Sequence, residues 1–387
     1  MINQNNPTEF LFEKGALHTS SEIANQPILW KQSEGKFYRE SKSIESFLQQ
    51  ALNQCDEIIL TGAGTSAFIG ISLQGIFFSR THKMTRAIAT TDIISHPHHY
   101  LSEDRVPLII SFARSGKSPE SCAALELADQ ICKKCFHLII TCNSEGLLAN
   151  YDSCNLAYVC VLPSEANDKG LAMTGSYSSM LLIGLLIAFF EEKSFCQSQV
   201  RLLISSAEKI FKEYSTIIQA IAEKDFHRAV FLGSGPLFGT ATEAALKLQE
   251  LTDGQIVCKA DTFLGFRHGP KAVIDETTLV VYFFSNDKYA HQYEIDLLED
   301  MKRGNSALFH LGISEQPIDS PILQAQVILG ADSAPLSVHF LPVCSILPAQ
   351  LLGLYKSLNL GLEPDTPSIS GAISRVVEGV IIYPVVI

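Results

Sequence analysis

The chain has 387 residues, 47% of them apolar and 18% charged, a globular composition with room for two domains. Its net charge of −12 excludes non-specific binding to nucleic acid, which relies on Lys and Arg at phosphates. Any anionic ligand must be held by a local nest of donors.

Residues 1–52 predict a polar, helical arm, with "SIESFLQQALNQC" as its clearest amphipathic piece. The start lacks a basic n-region ahead of an apolar run, so no secretory signal is expected. Next, "DEIILTGAGTSAFIGISLQGIFF" predicts a strand, a glycine turn and a helix. Further strands are expected at "RAIATTDII", "VPLIISFA", "CFHLIITCN" and "LAYVCVLP", with helices between most of them, such as "SPESCAALELADQICKK". This alternation predicts a parallel sheet covered on both faces. A helix from Met173 to about Glu192 closes the first domain, 53–195. Its apolar run Met180–Phe190 is too short for a bilayer and predicts a buried helix.

The second domain, 196–387, opens with a helix-rich segment and then repeats the layout in "RAVFLGSGPLFGTATEAALKLQE". Aligned without a gap, Gly62 falls on Gly233 and Gly64 on Gly235, while "PLIISFARSG" falls on "TLVVYFFSND". The pattern is that of an internal duplication. The two copies differ chemically. Arg114, Ser115, Gly116 and Lys117 correspond to Ser285, Asn286, Asp287 and Lys288, so only the first copy keeps a donor-rich, acid-free cluster where open α/β sheets bind ligands.

In "TGAGTS", Gly64, Thr65 and Ser66 sit between a strand and a helix, where free N–H groups and hydroxyls suit a phosphate; a tight turn with a helix cap accounts for them equally well. In "SFARSGKSPES", Arg114, Ser115, Gly116 and Ser118 mark a second such turn, with a capped helix as the alternative. "EAALKLQE" places Glu243, Lys247 and Glu250 on one helix face, as a general base beside an ammonium or as an exposed ion pair. His268, in "FRHGP", is structural or catalytic. "HPHH" (His96, His98, His99) lacks a carboxylate or cysteine partner at ligand spacing, so no metal is expected there. "CKKC" at 132–135 predicts core and surface residues. Ten cysteines without framework spacing predict reduced thiols and a cytoplasmic protein.

Taken together, "GAGTS", "ARSGKSPES", "EAALKLQE" and "RHGP" resemble the sugar isomerase (SIS) domain, present twice over roughly residues 50–387. "SEANDKGLAMTGSYSSM" and the tail "LGLEPDTPSISGAISRVVEGVIIYP" resemble the tagatose-6-phosphate ketose/aldose isomerases, also described as galactosamine-6-phosphate deaminases. The isomerase half of glucosamine-6-phosphate synthase is a more distant relative. The resemblance implies two tandem three-layer αβα domains with mainly parallel sheets. It also implies a homodimer or higher oligomer with sites near the interface, and no metal or redox cofactor.

The same resemblance implies site roles. Gly64, Thr65, Ser66, Arg114, Ser115, Gly116 and Ser118 hold the sugar phosphate, and Thr174 lies in a segment lining that site. Glu250 shuttles a proton between C1 and C2, His268 assists ring opening, and Glu243 and Lys247 support Glu250. The synthase's glutaminase domain and C-terminal Schiff-base lysine are missing; the last lysine is Lys356. The expected reaction is isomerisation of galactosamine 6-phosphate with release of ammonia. Alternatives are isomerisation of a non-amino sugar phosphate, deglycation of a fructosamine phosphate, or sugar-phosphate sensing without turnover.

Overall fold

The computed structural model describes residue 11 and residues 13–330, 334–377 and 379–385. Three helices come first: α1 (Leu17–Ala24), α2 (Gln26–Arg39) and α3 (Ser41–Gln54). A parallel sheet follows, made of β1 (Glu57–Thr61), β2 (Met84–Ala87), β3 (Pro107–Ala113), β4 (Phe136–Thr141) and β5 (Leu156–Val161). Its strand order is β2-β1-β3-β4-β5. The inner strands β1, β3 and β4 are buried at every residue, and edge strand β5 is mostly half-exposed. Covered on both faces, the inner strands have no solvent side, so their sequences are mostly apolar without a polar alternation. The connecting helices are α4 (Thr65–Thr81), α5 (Thr90–Ser95) and α6 (Pro119–Ile131); α7 (Gly175–Ala188) is buried throughout and packs against α4.

After α8 (Lys193–Lys209), a π turn and α9 (Ser215–Ala222), a second sheet is built from β6 (Arg228–Gly233), β7 (Val257–Asp261), β8 (Thr278–Phe283), β9 (Phe309–Ser314) and β10 (Ala325–Ile328). Its order, β10-β9-β8-β6-β7, is the order of the first sheet taken from the other edge. The helices α10 (Pro236–Leu251), α11 (Phe263–Phe266), α12 (Lys288–Met301) and α13 (Leu341–Asn359) cover it. Val230, Leu232, Val280 and Tyr282 meet α11 and α12 through Phe263, Phe266, Leu297 and Leu298. Side chains alternate across a strand, so α10 and its partner α13 take the opposite face. The two sheets also match in detail. Gly64 precedes α4 at φ 55°, ψ −127°, and Gly235 precedes α10 at φ 56°, ψ −128°.

Each sheet anchors one compact unit. The second unit comprises the described residues up to Pro27, Asp168–Thr174 and Ser198–Ser374; the first comprises Ile28–Asn167, Gly175–Gln197 and the described residues from Arg375 onward. These limits differ from the expected 1–52, 53–195 and 196–387. The arm divides at Pro27, because α1 packs on α13. The tail joins the first unit, where Val385 lies against a cluster that includes Ile59, Ile109 and Ala128. Within "RAIATTDII" only Arg86 and Ala87 are strand; Thr90–Ser95 forms α5, which lays Ile93 against the same cluster. The expected helix from Met173 starts two residues later and stops at Ala188.

Among the described residues one helix, α13, is long and apolar enough to cross a membrane, and 89% of that stretch is buried within the fold. All ten cysteines are free thiols; seven are buried and only Cys154 is exposed.

Candidate active site

β1 and β3 pair in register, ending with Thr61 opposite Ser111. The chain crosses from one side of the sheet to the other between them, which is the switch point where such sheets take ligands. Both hydroxyls are buried, and neither finds a partner among the described residues. An unsatisfied buried hydroxyl costs roughly 1–3 kcal/mol, so both groups have the capacity to bond a further polar partner at the carboxyl ends of these strands.

Each strand then turns into a helix. A Cβ on Gly62 would stand 2.6 Å from Cβ of Ser66, so only glycine lets the turn close onto α4. No side-chain cap bond closes α4 or α6. Ser118 stands at the N-cap position of α6, as the helix-cap alternative has it, but its side chain makes no cap bond to the backbone. Ser118 instead hydrogen-bonds Ser121 through their hydroxyls at 2.7 Å. Gly116 (φ 60°) passes so close to β4 that a Cβ would be 3.2 Å from Thr141 Oγ1. Asn143 fixes that turn, its Nδ2 donating to the Ser115 carbonyl at 2.8 Å. Thr65, Ser66 and Arg114 are buried, and Ser115 and Ser118 half-buried. Arg114 donates to the carbonyl of Arg375, whose guanidinium donates to Asn167 Oδ1 at 2.8 Å. Glu120, a buried carboxyl in the first turn of α6, follows this cluster in the chain.

At the equivalent turn of the second sheet the polar groups serve the fold. Asp287 caps α12 by accepting from the Tyr289 and Ala290 N–H groups. Asn286 donates to Glu315 at 2.7 Å, and the Ser285 N–H donates to Glu294 at 2.9 Å.

Helix α10 carries Glu243, Lys247 and Glu250. The Lys247 ammonium lies 2.5 Å from Glu250 Oε2 and 3.5 Å from Glu243 Oε1. The Lys247 side chain is 1% exposed and that of Glu243 0%, so the exposed-pair alternative fails. Glu250, at 23%, is the one carboxylate of the three open to solvent. The buried ammonium thus lies between two carboxyl groups, one sealed in the interior and one at the surface, a setting that suits a base held at the exposed end.

His268 follows α11, whose start is capped by Thr262 Oγ1 accepting from the Gly265 N–H. Its imidazole is exposed and makes no hydrogen bond among the described residues. Thr174 is fully buried: its N–H and hydroxyl donate to Asp168 at 2.8 and 3.2 Å, and its carbonyl accepts from Gln350. Its hydroxyl therefore shapes the segment from within. Spacing gave no sign of Asp168, Gln350 or Asn143, because their partners are brought to them by the fold.

Two other clusters bear on cofactors. Asp129, Cys135 and His137 place ligand-type atoms within 4.8 Å of one another. Burial works to raise the Asp129 pKa, but hydrogen bonds from His137, Tyr151 and Asn155 outweigh it and hold the carboxyl below the usual range. Ser153 also donates to it, so the carboxylate is already saturated by protein donors. His96 and His99 stack at 5.1 Å on the surface. Lys356 is buried, donating to the Lys224 carbonyl at 2.8 Å, and burial lowers its pKa.

The SIS domain family matches residues 51–189. The D-galactosamine-6-phosphate deaminase AgaS of Shewanella sp. (strain ANA-3) is 41% identical over 98% of this chain and 95% of its own length. The chain belongs to the AgaS family. Two solved structures agree. A Clostridium novyi NT protein provisionally described as a tagatose-6-phosphate ketose/aldose isomerase is 40% identical, with a TM-score of 0.93 and 97% of both chains covered. The Escherichia coli tagatose-6-phosphate ketose/aldose isomerase is 36% identical, with a TM-score of 0.84 and coverage of 95% and 96%.

Proposed function

We propose that this AgaS-family chain converts D-galactosamine 6-phosphate and water to tagatose 6-phosphate and ammonia, as a cytoplasmic homodimer or higher oligomer built from a duplicated SIS fold. The observation that carries the chemistry is Glu250, a carboxylate open to solvent and tied to a buried ammonium.

Gly64, Thr65, Ser66, Arg114, Ser115, Gly116 and Ser118 hold the phosphate, so binding energy remote from the reacting carbons orients C1 and C2. His268 moves a proton between the ring oxygen and the anomeric hydroxyl, giving the open aldehyde. Glu250 takes the C2 proton while the aldehyde oxygen is protonated, forming an enolamine, and a proton then returns to C1. The C2 imine that results adds water and loses ammonia. The steps are ring opening, proton transfers, addition of water and expulsion of ammonia, with no net oxidation or reduction. The sequestered Lys356 fits this course, since no amine nucleophile is required.

The names of the two solved relatives favour a second reading, aldose–ketose isomerisation of a non-amino sugar phosphate, which shares the C2-to-C1 proton transfer. An ammonia-coupled assay on galactosamine and glucosamine 6-phosphates, beside ketose detection with galactose 6-phosphate, separates the two. Ammonia from galactosamine 6-phosphate is expected, and its loss in Glu250→Gln with substrate affinity retained. Ketose without ammonia would establish the second reading, and full activity of Glu250→Gln would remove the base.

A further inference from the structure

A cavity of about 380 Å³ in the second unit is not used by this chemistry. Its wall is the segment leading from α11 to β8 together with the turn after α12, and its lining includes Arg267, Lys271, Arg303 and Asn305. Three cations meet one carboxylate there. Lys271 Nζ is 2.5 Å and Arg267 Nε 3.9 Å from Asp300 Oδ2. Arg303 makes no salt bridge among the described residues, but its charge also acts on Asp300. Gathering a surplus of two positive charges around one concavity is unfavourable unless something anionic shares it, the more so in a chain of net charge −12. Gly269 and Gly304, both at φ 115°, form part of the lining, and a Cβ on either would meet nothing within 4 Å. The floor is apolar: Ile274 and Met301 are buried members of the core between β8 and α12. A cationic rim over an apolar floor fits an anion that carries an organic body.

We infer that this cavity binds a phosphorylated small metabolite, with the phosphate on Arg267, Lys271 and Arg303 and the body on Ile274 and Met301. The site is separate from the proposed base. Glu250 lies on α10, which covers the other face of the second sheet from α11 and α12. It also differs from the phosphate nest of the first unit, since it is built from side-chain cations where the nest is built from glycine turns and hydroxyls. His268 stands in the chain between Arg267 and Gly269, two residues of the cavity's lining, so an occupant restrains the loop that carries it. Binding stands without any assigned reaction; the effect on turnover through His268 rests on the function proposed above.

Calorimetry with adenosine monophosphate, a phosphomonoester that is no substrate for this chemistry, tests the site on the full-length protein. Saturable binding is expected, weakened about tenfold by Arg303→Ala and by Arg267→Ala, abolished by Arg303→Glu, and changed less than twofold by Ser115→Ala. Inorganic phosphate is expected to bind at the same residues about tenfold more weakly, for want of the apolar contact. No saturable binding at millimolar concentration, indifference to Arg303→Glu, or loss with Ser115→Ala would each overturn the inference. Circular dichroism of Arg303→Glu, at an exposed position, guards against misfolding. Nucleotide binding in a protein that releases no ammonia would leave this site standing and remove only the reaction.

Discussion

Lys247 is the residue on which the second unit's chemistry turns. A lysine in the interior is costly unless it is paired, and here a single ammonium serves Glu243 and Glu250 together. Replacing it by methionine keeps the volume and removes the charge between two carboxylates. Lys247→Met should therefore cost about 3–5 kcal/mol in urea denaturation. Adding Glu243→Gln should restore part of that, because it removes the fully buried carboxyl that Lys247→Met leaves without its ammonium. An unchanged urea midpoint for the single variant would show that the pairing carries no weight. Spacing already placed these three groups on one face. What it lacked was burial: the opposite side of α10 is rich in alanine and leucine, which suggested that the charged side was the wet one. Packing of α13 on α10 explains why the charged side is also dry.

At the scale of elements, α1 is clasped to the segment Asp168–Thr174. The Glu22 carboxylate accepts from the Lys169 and Gly170 N–H groups, and Asp365 accepts from the Thr19 hydroxyl and N–H. Burial first, and the charge of Asp168 second, raise the Glu22 pKa from 4.5 to about 7, with Asp365 adding to the rise. A carboxyl raised on folding binds more protons in the native state than in the unfolded one. Its contribution is complete below pH 4.5 and is lost as pH climbs through 7. Glutamine imitates the protonated form and still accepts both N–H groups. Relative to the parent, Glu22→Gln should gain stability steadily between pH 5 and pH 8 in thermal unfolding. A constant difference across that range would refute the shift. This clasp was invisible in the sequence because its members are far apart in the chain and no periodicity connects them. The strands, by contrast, were legible: β1, β3 and β4 are buried on both faces, and that condition writes itself as a run of β-branched and apolar residues. "RAIATTDII" misled for a related reason. Its apolar residues also face the core, but from a short edge strand and then from a helix, and a buried helix turn and a buried strand look alike over so few residues.

Across the whole molecule, two units of one strand order carry the same glycine turn at Gly64 and Gly235, while their surroundings differ. Their backbone angles are open only to glycine at low cost, so Gly64→Ala and Gly235→Ala should each cost about 1–3 kcal/mol in stability. Function should divide them. Gly64→Ala should raise KM for the sugar phosphate at least tenfold, whereas Gly235→Ala should leave it within twofold; equal effects on KM would break the asymmetry. That asymmetry could be taken from the sequence, because the gapless alignment set a hydroxyl-rich turn against one whose acid caps its own helix and whose amide is held by Glu315. The surroundings of Arg114 could not. The tail that meets it follows the second sheet in the chain yet belongs with the first, and nothing in its composition announces which sheet it rejoins. The same enclosure has a practical side for the ten thiols. With seven sealed in the interior and two more half-covered, air oxidation of stored protein is channelled through Cys154. The products are disulfide-linked pairs of chains, which a mild reductant dissolves, and not the ladder of cross-linked aggregates that a cysteine-rich composition suggests.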